Sequence, residues 1–384
     1  MHMEPSLVRS RVAVAVFFAV NGMIGFTFLP RLAQVQNQTG LDDAGLGIVL
    51  AIGTAGGLIV GPAAAYFVTR FGATQVTAVT LLVSLPAIAA IGFVNSGVAL
   101  ALVLAVWMSM DALTDSAMNT RALALQSAYG RSIINSFHAW WSLATIIGSA
   151  LGALSAVVGL SLPSFLTGMA LVSAGIVMWA WRADTANVPL THVAHSPLRL
   201  STLPLLVRSG VGIVLGFIVL AVIVEDVPVR WGAIYLAEIG QGAAVIGLAY
   251  VAVTGGQTIG RFFGDRLVDR WGQASVIRIS MGVVAVSITS ALIQGSAAAF
   301  IGAVALSGLG VATLFPAAMN AAAQLPGISP ALGIAVVSWF SRVGFVIAPL
   351  AVGLIAEGAG LRYGLAIMVI AAIGLVAIAG RVDR

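Results

Sequence analysis

Apolar residues fill the chain in runs of about twenty, separated by short polar stretches, and this alternation repeats from one end to the other. A helix needs ~20 predominantly apolar residues to cross a bilayer. The pattern predicts spans at 11–30, 44–68, 75–94, 98–122, 132–157 and 163–181. It predicts six more at 208–229, 243–263, 275–294, 298–323, 330–356 and 361–380. One polar connection is long: residues 182–208, with three prolines and two histidines, falls near the middle and divides the spans six and six. The expected organisation is a first six-helix bundle over 1–181, a linker over 182–207 and a second bundle over 208–384.

Composition moves the picture firmly to the membrane. Hydrophobic residues make up 60% of the chain and charged residues only 8%, with a mean hydropathy of +1.07. Soluble domains carry about a quarter charged residues. The expected fold class is therefore an all-α polytopic membrane protein of twelve transmembrane helices. The first apolar run has no small-residue cleavage site behind a short core, so it reads as a retained span. Cysteine is absent, which excludes disulfides and thiolate metal sites. His192 and His195 read as solvated linker residues, so neither a metal nor another cofactor is expected.

Charge then sets the orientation. Of the eighteen basic residues, fourteen fall at span ends on the side of the N-terminus. Arg31, Arg230 and Arg362 fall on the other side, and Arg342 lies inside a span. The positive-inside rule puts both termini in the cytoplasm, in the inner membrane of the cell. The same distribution argues against a nucleic-acid partner despite an isoelectric point near 10.4.

The halves also repeat. Thr69-Arg70-Phe71-Gly72 is echoed by Asp269-Arg270-Trp271-Gly272, and Ala117-Met118-Asn119 by Ala318-Met319-Asn320. The first motif falls between the second and third spans of each half, the second near the inner end of the fourth. Six spans per half keep both copies in one orientation, which describes a parallel repeat about an axis along the membrane normal, with a cavity between the halves.

A loop of the form G-x-x-x-D-R-x-G in both halves of a twelve-span chain resembles the major facilitator superfamily. The second copy is intact in GRFFGDRLVDRWG, residues 260–272, while the first, AYFVTRFG, has Thr69 for the aspartate and Ala65 for the leading glycine. The resemblance implies a gate built on Arg70, Gly72, Asn119, Asp269, Arg270 and Gly272, with Thr69 weakening its first half. Within the superfamily the chain looks most like the fucose-permease-like branch and its YbjJ-type transporters. The stretches that carry this are DSAMN, INSFHAWWSLATIIGSALG, VEDVPVRWGAIYL and GVATLFPAAMNAAAQLP. The fourth span lacks the arginine, and the fifth the glycine-proline signature, of the drug/proton antiporter branch.

Polar residues inside apolar spans are costly and mark function by default. Asp111, Asp115 and Asn119 follow one another at four-residue intervals, as do His138 and Ser142, so each set lies on one helical stripe. Helical rise places Asp111 near mid-membrane, Asp115 a turn deeper, and the histidine stripe at overlapping depth. Two carboxylates this close in a low dielectric resist holding two charges, which is what a proton-binding site requires. The same groups would serve as a static clamp between two helices. Glu225 lies in the outer half of the seventh span, and the VPVRWG that follows predicts a helix break at Pro228. Asp226 is expected to pair with Arg230. Arg342 must meet an acid, water or an anionic solute; pairing with Glu225 or a span-four carboxylate leads, and a solute carboxylate comes second. Asn21, Trp141, Ser142, Gln257 and Trp339 complete the candidate cavity, with helix-to-helix hydrogen bonding the alternative for Asn21 and Gln257.

No nucleotide-binding motif or hydrolytic constellation is present, so an enzyme is not expected. The expected function is secondary transport of a small organic solute, sugar-like or drug-like, by alternating access. Proton coupling would run through Asp111, Asp115, His138 and Glu225. The expected partners are that solute, protons and the lipid bilayer, and the chain is expected to be a monomer. A drug-efflux antiporter is the main alternative, followed by an uncoupled facilitator and a non-transporting sensor.

Overall fold

A computed structural model describes residues 4–130, 133–188, 211–326 and 330–382. His192, His195 and most of the expected linker lie outside these residues. Among the described residues, twelve helices are long and apolar enough to span a membrane. In order they are spans one to six, Pro5–Thr39, Asp43–Phe71, Ala73–Ile91, Gly97–Tyr129, Ser136–Val157 and Leu162–Ala183. Spans seven to twelve are Val211–Glu238, Ala243–Gly264, Gln273–Gln294, Ala297–Ala323, Val336–Ala359 and Leu361–Val382. Each predicted run has become one of these, and the differences lie at the ends. Span four continues as helix to Tyr129, because ALALQSAY keeps good helix formers until Gly130 takes a left-handed conformation and ends it.

The chain packs as two units. Unit 1 holds Met1–Gly40 and Ile52–Val193, and unit 2 holds Leu41–Ala51 and Ala194–Arg384. Large apolar side chains on the outside, such as Ile59, Val98, Leu171, Val286 and Ile370, suit a hydrocarbon solvent. Close helix contact inside each unit is made by small residues, as expected where lipid removes the hydrophobic drive between helices. A Cβ on Gly56 would stand 2.6 Å from the carbonyl oxygen of Ala105, so spans two and four touch backbone to backbone. Unit 2 repeats that contact two hundred positions later, where a Cβ on Gly256 would stand 2.1 Å from the Ala305 oxygen. The loop glycines repeat as well. Gly72 (φ 88°, ψ 146°) and Gly272 (φ 79°, ψ 151°) share one backbone conformation, in a region that favours glycine. The duplication read from short motifs is thus a duplication of geometry.

The expected break at Pro228 does not occur. Span seven runs as one helix from Val211 to Glu238 with Pro228 inside it. A proline there removes the N–H that would bond the carbonyl of Val224, four residues back. The Ser307 hydroxyl of span ten donates to that carbonyl at 3.3 Å, and the helix continues. Span one is the one that breaks. Its regular helix ends at Phe26, and a tight turn at Leu29–Arg31, containing Pro30, leads into Leu32–Thr39. Buried Arg31 fixes the turn by donating to Gln34 Oε1, Ser155 Oγ and the Leu160 carbonyl.

A second fastening closes unit 1 where span six ends. Arg121 forms a two-pronged pair with Asp184, at 2.9 Å from Nε and 2.6 Å from Nη2, and Nη2 also donates to the Ala186 carbonyl. Thr74 donates to the same carboxylate, and Ser10 accepts from the Ala186 amide. Spans one, three, four and six meet at this buried ion pair, a role that positive-inside counting alone does not reveal.

Candidate functional site

In unit 1 the polar centre forms where spans one, four and five meet. Gly22 permits the approach, since a Cβ there would stand 2.4 Å from the Trp141 carbonyl oxygen. With the two backbones so close, Trp141 Nε1 reaches Asn21 Oδ1 at 2.9 Å. An indole N–H can only donate, so the amide oxygen of Asn21 faces it and the amide nitrogen is left for a second partner. That partner is Asp111, whose Oδ1 accepts from Asn21 Nδ2 at 2.7 Å. Asn21 is 9% exposed and Asp111 half-buried. Phe26 lies edge-on to Trp141, and Trp107, one turn before Asp111, lies edge-on to Phe28. The carboxylate of span four is therefore held by a neutral amide, itself oriented by a tryptophan.

The other expected residues of the stripe sit alongside. Asp115 accepts from Asn119 Nδ2 at 3.0 Å, and the same nitrogen donates to the Asp115 carbonyl at 2.8 Å. Asn119 thus bonds along its own helix. His138 is exposed and edge-on to Phe18, with ring centres 5.2 Å apart, and Ser142 is half-buried one turn on.

In unit 2 Glu225 and Gln257, expected separately, come together. Gln257 Nε2 donates to Glu225 Oε1 at 2.7 Å, linking spans seven and eight. Asp226 pairs with Arg230, whose Nε lies 2.7 Å from both carboxylate oxygens, as the sequence suggested. The leading expectation for Arg342 fails: Glu225 takes its hydrogen bond from Gln257, and its charged neighbours are Arg261 and Asp226. Among the described residues Arg342 makes neither an ion pair nor a hydrogen bond with the protein. Trp339 is 39% exposed and tilted against Phe340.

At the loop ends, Arg70 is exposed and lies over the Phe71 ring at 5.8 Å, while Thr69 donates only to its own helix carbonyls. Asp269 and Arg270 are exposed on the matching turn of unit 2. No cluster among the described residues could hold a metal ion. The Arg121–Asp184 pair, the Asn21–Asp111 bond and the Glu225–Gln257 bond are contacts that sequence reasoning missed. A buried acid directly after an apolar span, and an amide in the span next to an acidic one, were the available signals.

Twelve helices long and apolar enough to span, with carboxylate–amide pairs inside them, describe a multi-pass membrane protein. Residues 231–382 match the family model described as Major Facilitator Superfamily. The chain is 28% identical over 351 residues to "Uncharacterized transporter y4wD" of Sinorhizobium fredii, covering 91% of this chain and 92% of that protein. Its fold matches the nucleoside transporter NupG with a TM-score of 0.76 at 15% identity, over 99% of this chain and 98% of that one. It also matches a D-xylose-proton symporter with a TM-score of 0.69 at 15% identity, over 97% and 96% of the two chains. Residues 231–382 thus resemble the Major Facilitator Superfamily, and the chain shares its fold with the two transporters named.

Proposed function

We propose that the chain moves a small organic solute across the cytoplasmic membrane by alternating access, with Asp111 as the principal proton site and both termini in the cytoplasm. The Asn21–Asp111 bond carries this reading. A membrane carboxylate that accepts from an amide can exchange a proton while that amide, which carries no charge of its own, stays within reach. Asn21 tracks that change, because it is fixed on its other side by Trp141 and sits on a different span. Protonation thereby alters a contact between spans one and four, and a ligand that binds one arrangement better shifts the balance between them. Asp115 and His138 extend the titratable stripe toward Asn119, and Glu225 with Gln257 is a second carboxylate–amide pair in unit 2. Similarity of fold to a proton symporter supports the coupling, and similarity to nucleoside and xylose transporters supports a small organic solute.

The test begins with a thermal-shift panel of sugars, nucleosides, amino acids and organic cations, since a ligand that binds the native state raises its melting temperature. Flux of the stabilising solute is then followed in proteoliposomes under an imposed proton gradient. Asp111→Asn is expected to keep solute exchange and lose gradient-driven accumulation. Unchanged accumulation in both Asp111→Asn and Asp115→Asn would sink the assignment.

A further inference from the structure

Five of the described arginines are buried or half-buried: Arg11, Arg31, Arg121, Arg230 and Arg342. Arg11 lies over the Tyr129 ring at 5.5 Å. Arg121 and Arg230 have carboxylate partners, Asp184 and Asp226. Arg31 has no carboxylate in its bonds, yet a glutamine, a serine and a backbone carbonyl accept from it. This protein therefore equips its structural guanidinium groups even where no acid is at hand. Arg342, inside span eleven, is the exception among the described residues.

Its place on the helix says where it looks. Gly344 faces span seven, since a Cβ there would stand 2.9 Å from the Val222 Cβ, and Val337 is fully buried on the same face. At ~100° per residue, Arg342 lies about 160° around the helix from Gly344. Trp339, three residues before, and Val346, four after, share its face. That face carries a guanidinium and a 39%-exposed indole away from span seven. A guanidinium without a protein acceptor is not tolerable against lipid tails, so this face requires water or an anion.

We propose that Arg342 binds a carboxylate of the transported solute and that Trp339 offers a flat face to the part of the solute next to it. This deepens the transporter reading and does not depend on which acid carries the proton. A single planar guanidinium matches a carboxylate in charge and in its two-pronged geometry. A doubly charged phosphomonoester would be left half-neutralised by it.

The chain has no cysteine, so Val346→Cys introduces the sole thiol. In proteoliposomes that thiol is labelled with a negatively charged sulfonatoethyl thiosulfonate and a positively charged trimethylammonioethyl thiosulfonate. The ratio of negative to positive labelling rates is expected to fall several-fold when Arg342→Gln is added, and to be retained with Arg342→Lys. Benzoate and nicotinate at millimolar concentration are expected to slow labelling, and benzamide and nicotinamide are not. Adding Arg342→Gln should abolish that protection. The proposal is overturned by a ratio indifferent to Arg342→Gln, by a thiol that neither reagent reaches, by equal protection from the amides, or by no protection from either acid. Absence of solute flux alongside the expected labelling would count against the transporter reading alone. Proton-driven flux with an indifferent ratio would count against this inference alone.

Discussion

In unit 1 the carboxylate–amide pair joins span four to span one, through Asp111 and Asn21; in unit 2 it joins span seven to span eight, through Glu225 and Gln257. The two pairs are not copies. Two hundred positions after Asn21 and Asp111 stand Ala221 and Val311, and two hundred before Glu225 and Gln257 stand Gly25 and Gly57. The glycine contacts between spans two and four are nevertheless reproduced between spans eight and ten. Duplication has kept the backbone packing and let the polar chemistry diverge. Span four shows the same divergence along its length: it is one unbroken helix through Asp111 and Asp115. Span ten, with Pro316 near the start of its second segment, is interrupted after Val311 and resumes at Leu314.

The fastenings differ as well, and removing one should give the largest effect. Unit 1 fastens span four to the end of span six with the buried Arg121–Asp184 pair, whose side chains are 7% and 0% exposed. At the matching point of unit 2 stands Ala322, whose carbonyl oxygen lies 2.0 Å from where a Gly333 Cβ would be, so backbone contact replaces an ion pair. Asp184→Ala leaves the Arg121 guanidinium buried with only the Ala186 carbonyl as its remaining acceptor, which costs about 3–5 kcal/mol. A pronounced fall in melting temperature of the purified protein in detergent is expected. Most of the loss should be recovered when Arg121→Met is added, because replacing both charges by apolar bulk is far milder than removing one. A melting temperature unchanged by Asp184→Ala would mean that the pair is not a fastening.

A middle-sized effect tests the packing that the units share. Gly256→Ala and Gly56→Ala should both destabilise, by about 1–3 kcal/mol, because each new methyl meets a carbonyl oxygen that cannot turn away. Gly256→Ala should be the worse of the two. Its three nearest contacts are all backbone atoms, the closest at 2.1 Å, whereas Gly56 has 2.6 Å and a Ser109 side chain among its three. Melting curves of the two variants in the same detergent check the order, and a reversed order would break the claim that the contact is tighter in unit 2.

What the sequence disclosed follows from how each feature is written in it. Twelve spans were legible because membrane crossing is set by length and apolarity alone, and the repeat was legible because Gly72 and Gly272 must both take a backbone conformation that favours glycine. The intramembrane polar residues were equally visible as exceptions in apolar runs. Their partners were not. Asn21 meets Asp111 across ninety positions of chain, and that contact depends on how closely Gly22 lets span five approach. Arg342 was assigned an acid because charge balance favours one, but Glu225 is taken by an amide one span away. Helix continuity failed for a related reason: a proline predicts a break from local rules, and a serine three spans later can satisfy what the proline leaves open.

That last contact gives the smallest effect and separates spans one and seven most finely. Ser307→Ala should cost about 0.5–1.5 kcal/mol, the worth of one neutral hydrogen bond, since it strips the donor from the Val224 carbonyl. The cost should vanish in a Pro228→Ala background, because alanine restores the backbone N–H and the carbonyl regains its helical partner. A double-mutant cycle on melting temperature reads that coupling directly. If Ser307→Ala cost the same with and without Pro228, the serine would not be what carries span seven through its proline. The contrast with span one, which breaks near Pro30 with Arg31 anchored beyond it, would then need another cause. If the coupling is found, one hydroxyl from a neighbouring span is enough to let an intramembrane proline sit inside a continuous helix, whereas in span one Arg31 holds a turn beside Pro30.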